Sequence, residues 1–249
     1  VLIPRILSAL VLGPVALAAA WYGGWAFVAL IAVFTALMGW EWSRICMGGF
    51  GPGGIALSGG CTLAVLLSLI FPGYALLLVP LSMAAAPFIE RRPDRSPWWF
   101  VFGGLYIGIP ALSLILIREL AGVEMLFWLF LLVWATDIGA YAAGRTIGGP
   151  KLLPRVSPKK TWAGLLGGMA SAALVGAFYF DEPMAPAILS ALLAVLAQAG
   201  DLFESWVKRR FGVKDSSNII PGHGGVLDRV DGLLTTAPVV AILTLVWLF

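Results

Sequence analysis

The sequence predicts an all-α, polytopic transmembrane bundle of about nine spans, with the N-terminus inside and the C-terminus outside. Three observations carry this reading. Of the 249 residues, 60% are apolar and only 12% are charged, about half the charged share of a soluble domain. The apolar residues gather into runs near the roughly 20 residues that a spanning helix needs. The basic residues then fall almost entirely on one side of the map that those runs define.

The expected spans cover 6–21, 25–41, 57–71, 74–89, 98–117, 123–143, 162–180, 186–206 and 230–248. The run 2–20 leads straight into further spans, so it is expected to be a span and not a cleaved signal. The third and fourth are short and joined by Pro72-Gly73, which also allows a bent hairpin. The glycine-rich stretch 48–60 is expected to be a flexible loop. Many of the 11 tryptophans, among them Trp21, Trp25, Trp40, Trp42, Trp98, Trp99, Trp162 and Trp206, lie at the ends of runs. That placement suits an aromatic belt at the membrane–water interface.

With the N-terminus in the cytoplasm, every Lys and Arg except Arg118 lies in an inside segment. Orientation and span parity therefore support each other. The outside segments are very short, so aqueous chemistry is expected inside, at 144–161 and 207–229. We divide the chain into N-terminal membrane helices, 1–97, and a C-terminal helical catalytic region, 98–249. Two scattered cysteines and one histidine do not make a zinc site of the usual ligand types.

Three carboxylates fall inside expected spans: Asp137, Asp201 and Glu204. A charge at a helix centre costs about 2.5–3.5 kcal/mol on insertion scales, so such residues mark either a structural pair or a functional site. Gln198, Asp201, Ser205 and Lys208 recur at helical spacing and share one face, as do Asp137 and Tyr141. Asp228 and Asp231 point the same way where the last span begins. Two such acids with a third from a facing helix form a hard oxygen set suited to Mg²⁺, which keeps waters and binds substrate phosphates. An acidic helix N-terminus favoured by the dipole is the structural alternative.

The segment 144–161 holds glycines, lysines and hydroxyls, including Ser157-Pro158-Lys159-Lys160-Thr161-Trp162. Glycine lets backbone approach an anion closely, and a helix start with lysines beside it makes a phosphate cradle. Alternatively, Ser157 caps the next helix and the lysines set topology. Lys208, Arg209, Lys214 and Arg229 lie in or beside the loop 207–229, where glycines flank His223. The basic run could suggest nucleic acid, but between spans a lipid phosphate is the nearer anion, and no nucleic-acid partner is expected.

Taken together, Ser205-x-x-Lys208-Arg209-x₄-Lys214-Asp215-x-Ser217-x-x-Ile220-Pro221-x-His223-Gly224-Gly225-x-x-Asp228-Arg229-x-Asp231 resembles the signature of the phosphatidate cytidylyltransferase (CDP-diacylglycerol synthase) family. Gln198-x-Gly200-Asp201-Leu202-x-Glu204-Ser205, Asp137-x-Gly139-Ala140-Tyr141 and the Ser157–Trp162 motif resemble it too. These motifs cover roughly the C-terminal half. Many relatives carry Glu after the Trp of the last motif, where this chain has Ala163.

The resemblance implies that CTP and phosphatidate give CDP-diacylglycerol and pyrophosphate, in bacterial phospholipid synthesis at the inner membrane. It implies Mg²⁺, a second cation and a homodimer, with phosphatidate drawn from the cytoplasmic leaflet. On this basis Asp201, Asp228 and Asp231 are assigned to metal, with Asp137 as a nearby fourth acid. Lys159, Lys160, Lys208, Arg209, Lys214, His223 and Arg229 are assigned to phosphates, and Ser157, Thr161 and Ser205 to substrate binding. The competing readings are a CTP-dependent lipid-alcohol kinase and an ion-coupled transporter. A transporter would need functional polar residues on both faces, and the outer segments are nearly empty of them.

Overall fold

The computed structural model describes residues 2–222 and 224–248, and the side chains of 10–222 and 224–246. Helices α1 (Leu2–Tyr22), α2 (Gly24–Met47), α3 (Pro52–Leu67) and α4 (Pro72–Ile89) come first. Helix α5 (Trp98–Gly103) continues through a π-helical turn (Gly104–Gly108) into α6 (Ile109–Leu120), then α7 (Gly122–Thr146) follows. A hairpin of β1 (Lys151–Leu153) and β2 (Ser157–Thr161) leads to α8 (Trp162–Tyr179), α9 (Met184–Arg210) and α10 (Leu227–Leu248).

Each expected span coincides with helix. Among the described residues, seven helices are long and apolar enough to cross a membrane: α2, α4, the continuous Trp98–Leu120, α7, α8, α9 and α10. Helix α3 is apolar but has 16 residues, about 24 Å at 1.5 Å per residue, short of a hydrocarbon core of roughly 30 Å.

The continuous helix Trp98–Leu120 is the central pillar, since most of its surface is covered by other helices. Helices α2, α3, α4 and α10 pack against it. Helices α4 and α8 are peripheral and expose Leu76, Leu77, Leu81, Leu166, Leu174 and Phe178. An exposed apolar surface of that kind is stable against lipid and not against water.

Three expectations change. The stretch 48–60 is not a flexible loop, because α3 begins at Pro52, where proline suits the first helical turn. Its glycines serve packing: a Cβ on Gly53 would press on Glu90 and Phe100 at 2.7 Å, and one on Gly54 would overlap Ser43. The bundle is also not purely α-helical. Lys151 pairs with Thr161 and Leu153 with Ser157 in an antiparallel hairpin, closed by Val156 N–H to Leu153 O at 3.0 Å. Pro158 is tolerated there because a two-stranded ribbon is all edge.

The third change concerns Trp42 and Trp99, which are 1% and 9% exposed and so do not belong to a lipid-facing belt. Trp42 Nε1 donates to Trp99 O at 2.7 Å, and its ring packs on Tyr106 and Phe203. Trp21, Trp25, Trp98, Trp162 and Trp206 remain exposed.

Candidate active site

A cavity of about 770 Å³ opens among the C-terminal parts of α7 and α9, strand β2, the start of α8, the segment 211–226 and the start of α10. Helix α7 supplies Asp137, Ala140, Tyr141, Gly144 and Arg145, a spacing that keeps one helical face on the cavity. Helix α9 supplies Gln198, Asp201, Glu204 and Lys208, close to the shared face expected from the sequence. Asp137 is exposed to the open cavity, and the side chain of Asp201 keeps 37% of its surface exposed. These acids sit on apolar helices yet face a polar opening, the arrangement that makes such residues tolerable in a membrane.

Strand β2 carries the cations to them. Lys160 Nζ lies 2.6 Å from Asp201 Oδ2 and donates to Gln198 O at 3.3 Å. Ser205 Oγ donates to Asp201 Oδ1 at 3.3 Å, which orients that carboxylate. Burial deepens along the end of the strand, leaving Lys159 exposed, Lys160 half-buried and Thr161 buried. Both lysines line the cavity. Thr161 is buried, and its Oγ1 accepts Gly164 N–H at 3.0 Å. It is therefore Thr161, and not Ser157, that caps α8.

Asp228 and Asp231 share a helix but have different surroundings. Asp228 Oδ1 accepts from Lys208 Nζ, and Asp228 Oδ2 accepts Ser216 N–H at 2.9 Å, Ser216 Oγ at 2.7 Å and Gly225 N–H at 2.8 Å. Lys208 also reaches Glu204 Oε2 at 2.6 Å. Glu204 is buried, and its Oε1 has no hydrogen-bond partner among the described residues. Asp231 Oδ1 accepts Gly232 N–H at 2.9 Å, and Asp231 lines the cavity together with Asp137 and Asp201.

Asp137, Asp201 and Asp231 all line the cavity; Asp228, expected as a metal ligand, lines it too but is engaged by Lys208 and the loop backbone. Among the described residues no three His, Cys, Asp or Glu side chains converge tightly enough to enclose a metal by themselves. Mg²⁺ does not require that, because it binds through one or two carboxylates, waters and substrate phosphates. Hard oxygens at the edge of an open cavity with lysines beside it fit that chemistry.

The other expected substrate contacts divide. Arg229 lines the cavity with Lys159, Lys160, Thr161 and Lys208. Ser157 and Lys214 are not part of the described lining, and Ser205 acts through Asp201. Arg209 is exposed, and its guanidinium donates to Val213 O at 3.1 Å, closing the end of α9. His223 lies outside the described residues.

Two residues were missed. Arg145, held by its donation to Tyr141 Oη at 2.6 Å, adds a cation to the α7 wall; it follows Asp137 by eight residues, so helical spacing could have placed it. Glu41 is fully buried in α2 and accepts from Ser217 Oγ at 2.6 Å, Val226 N–H at 2.9 Å and Leu227 N–H at 2.9 Å. An acid between Trp40 and Trp42 at the end of an apolar run was the available signal.

Comparison with known proteins gives consistent matches. The pattern of the cytidylyltransferase family matches residues 3–247. A protein of Brucella suis biovar 1 (strain 1330) named phosphatidate cytidylyltransferase is 40% identical over 248 residues, covering 94% of this chain and 89% of the relative. A protein of Rickettsia prowazekii (strain Madrid E) with the same name is 38% identical over 199 residues, 75% of this chain and 86% of the relative. One of Rickettsia bellii (strain RML369-C), again so named, is 44% identical over 157 residues, 58% of this chain and 68% of the relative.

Proposed function

The chain belongs to the cytidylyltransferase family, and on that premise we propose that it transfers the cytidylyl group of CTP to the phosphate of phosphatidate. The products are CDP-diacylglycerol and pyrophosphate, in phospholipid synthesis. The observation that carries this reading is the joining of acids and cations in one cavity at the helix ends. Asp137, Asp201 and Asp231 face Lys159, Lys160, Lys208 and Arg229 there.

A phosphate oxygen of phosphatidate attacks the α-phosphorus of CTP. The bond from that phosphorus to the α–β bridging oxygen breaks, and pyrophosphate leaves. The nucleophile is already ionised near neutral pH, so no side chain need act as general base. The work of the site is to hold two polyanions in line and to stabilise charge on the leaving group.

Lys160, fixed between Asp201 and Gln198 O, presents its ammonium to the phosphates in one position. Lys159, from β2, and Arg229, from α10, contribute further cations to the cavity lining. Lys208 is held by Glu204 and Asp228, which fixes its ammonium at the inner wall of the cavity. Arg209, Lys214, Ser157 and His223 are retained as contacts to the incoming substrates. Mg²⁺, held by Asp137, Asp201 and Asp231, would neutralise phosphate charge and favour departure of pyrophosphate. A second cation and a homodimer complete the reading on the strength of the family resemblance.

The same reading places the chain in a bacterial inner membrane as a multi-pass protein, with the N-terminus and the cavity on the cytoplasmic side. The confinement of all basic residues but Arg118 to one side supports it. The orientation holds whether α3 and α4 cross fully or form a hairpin entered from inside, because both arrangements preserve parity. Transfer of cytidine label from CTP into lipid by purified protein tests the function. A lipid-alcohol kinase would place only the γ-phosphate in lipid, and a transporter would incorporate nothing.

A further inference from the structure

From the burial and bonding of Glu41 we infer that it is a positioning residue for the active site: its carboxylate, reaching from α2, fixes the segment from which Asp228, Arg229 and Asp231 project. The inference rests on the reading that these residues serve cytidylyl transfer. It gives the N-terminal helices a part in catalysis beyond anchoring.

The first N–H groups of a helix have no partner within it. In α10 the N–H groups of Val226 and Leu227, at its start, are accepted by Glu41 Oε1 and Oε2, each at 2.9 Å. Those of Ser216 and Gly225 are accepted by Asp228. Two carboxylates, 187 positions apart in sequence, thus take up the backbone donors that bracket the turn into α10. Ser217 Oγ adds a third donor to Glu41 at 2.6 Å and ties down the strand of loop facing that turn.

Three further features show that this contact is built in. Glu41 is 0% exposed, and among the described residues it has no Lys or Arg ion pair. Its charge is met by N–H and O–H donors at the positive end of a helix. Gly225 admits the contact, since a Cβ there would overlap both Glu41 Oε1 and Ser216 Oγ. The helix that carries Glu41 cannot slide independently of the site, because its neighbour Trp42 is bonded to Trp99 O and packed on Phe203 of α9.

Glutamine at position 41 keeps the size but turns one acceptor into an NH₂ group facing donors. The segment 225–231 should then lose its fixed position without losing any group that touches substrate. Glu41→Gln is expected to speed amide exchange in peptides covering 211–230 while α7 and α8 exchange as in wild type. Turnover should fall at least about tenfold, and more Mg²⁺ should be needed for half-maximal rate. Ser217→Ala, which removes one donor to the same carboxylate, should give a smaller loss in the same readouts. The double variant should be no worse than Glu41→Gln alone, because both changes break one contact.

Wild-type exchange at 211–230 in Glu41→Gln would overturn the inference, as would unchanged turnover or strictly additive losses. So would exchange that rises equally in every helix, which would report general loosening. Should Glu41→Gln fail to insert, Ser217→Ala decides alone, and wild-type exchange at 211–230 in that variant overturns the proposal. A wild-type protein that transfers no cytidylyl group would refute the proposed function instead, whereas the exchange comparison needs no substrate and still decides whether Glu41 holds the segment.

Discussion

Lys160 Nζ and Asp201 Oδ2 stand 2.6 Å apart, joining strand β2 to the more open acid of α9. The pair sits at the cavity edge with 19% and 37% of the two side chains exposed. An ion pair so open to solvent contributes about 0–1 kcal/mol to stability. Its worth lies in where it holds the ammonium.

Lys160→Ala should therefore leave yield and thermal stability near wild type while lowering turnover by one to two orders of magnitude (about 1.4 kcal/mol of barrier per order). Lys159→Ala, at an exposed neighbour, should mainly raise KM for CTP. Steady-state kinetics in detergent check both. Wild-type values in both variants would mean that these lysines serve topology alone.

Asp228→Asn and Asp231→Asn should part company. The Asp228 side chain is 6% exposed and paired with Lys208, and breaking a buried pair costs of order 3 kcal/mol. Asp228→Asn should lose stability together with activity. Asp231→Asn should lose activity by orders of magnitude with a much smaller stability loss than Asp228→Asn, because among the described residues no lysine or arginine is ion-paired with Asp231 and its hydrogen bond from Gly232 N–H can be kept by an amide oxygen. Melting curves measured beside turnover decide, with Glu119→Gln, in a segment assigned to the outer side, as a control. Equal stability losses in the two Asn variants would contradict the division of roles.

Chelation with EDTA should abolish turnover, and Mg²⁺ should restore it without zinc in the purified protein. Without a cation between them, Asp137, Asp201 and Asp231 repel each other and the incoming phosphates. Full turnover after chelation would refute the metal assignment.

Topology can be read by thiol labelling in a variant lacking Cys46 and Cys61, both of which are buried. Asn218→Cys and Asp181→Cys place single thiols at exposed positions in segments assigned to opposite sides. An impermeant reagent added to intact cells should label position 181 and spare 218. The reverse pattern would invert the map and move the cavity outside.

Local rules made much of this site legible. The 3.6-residue period placed Gln198, Asp201 and Lys208 on one wall, and the pairing of Ser205 with Asp201 is the i, i+4 contact that period allows. Contacts that depend on distant chain were not legible. Nothing in 48–60 says that its glycines meet Ser43 of α2, Glu90 at the end of α4 and Phe100 of α5. Asp228 and Asp231 look equivalent in sequence, and only the loop folding back through Ser216 and Gly225 sets them apart. Glu41 lies in the half where no motif was found, and its partners are 176 to 186 residues away.

The most direct test follows the atoms of CTP. Purified protein in detergent with phosphatidate and Mg²⁺ is supplied with CTP labelled at the α-phosphate or, in parallel, at the γ-phosphate. The α-label is expected to enter lipid with one pyrophosphate released per lipid formed, and the γ-label to leave wholly as pyrophosphate. Label from the γ-position in lipid, or no label in lipid from either position, would contradict the proposed function.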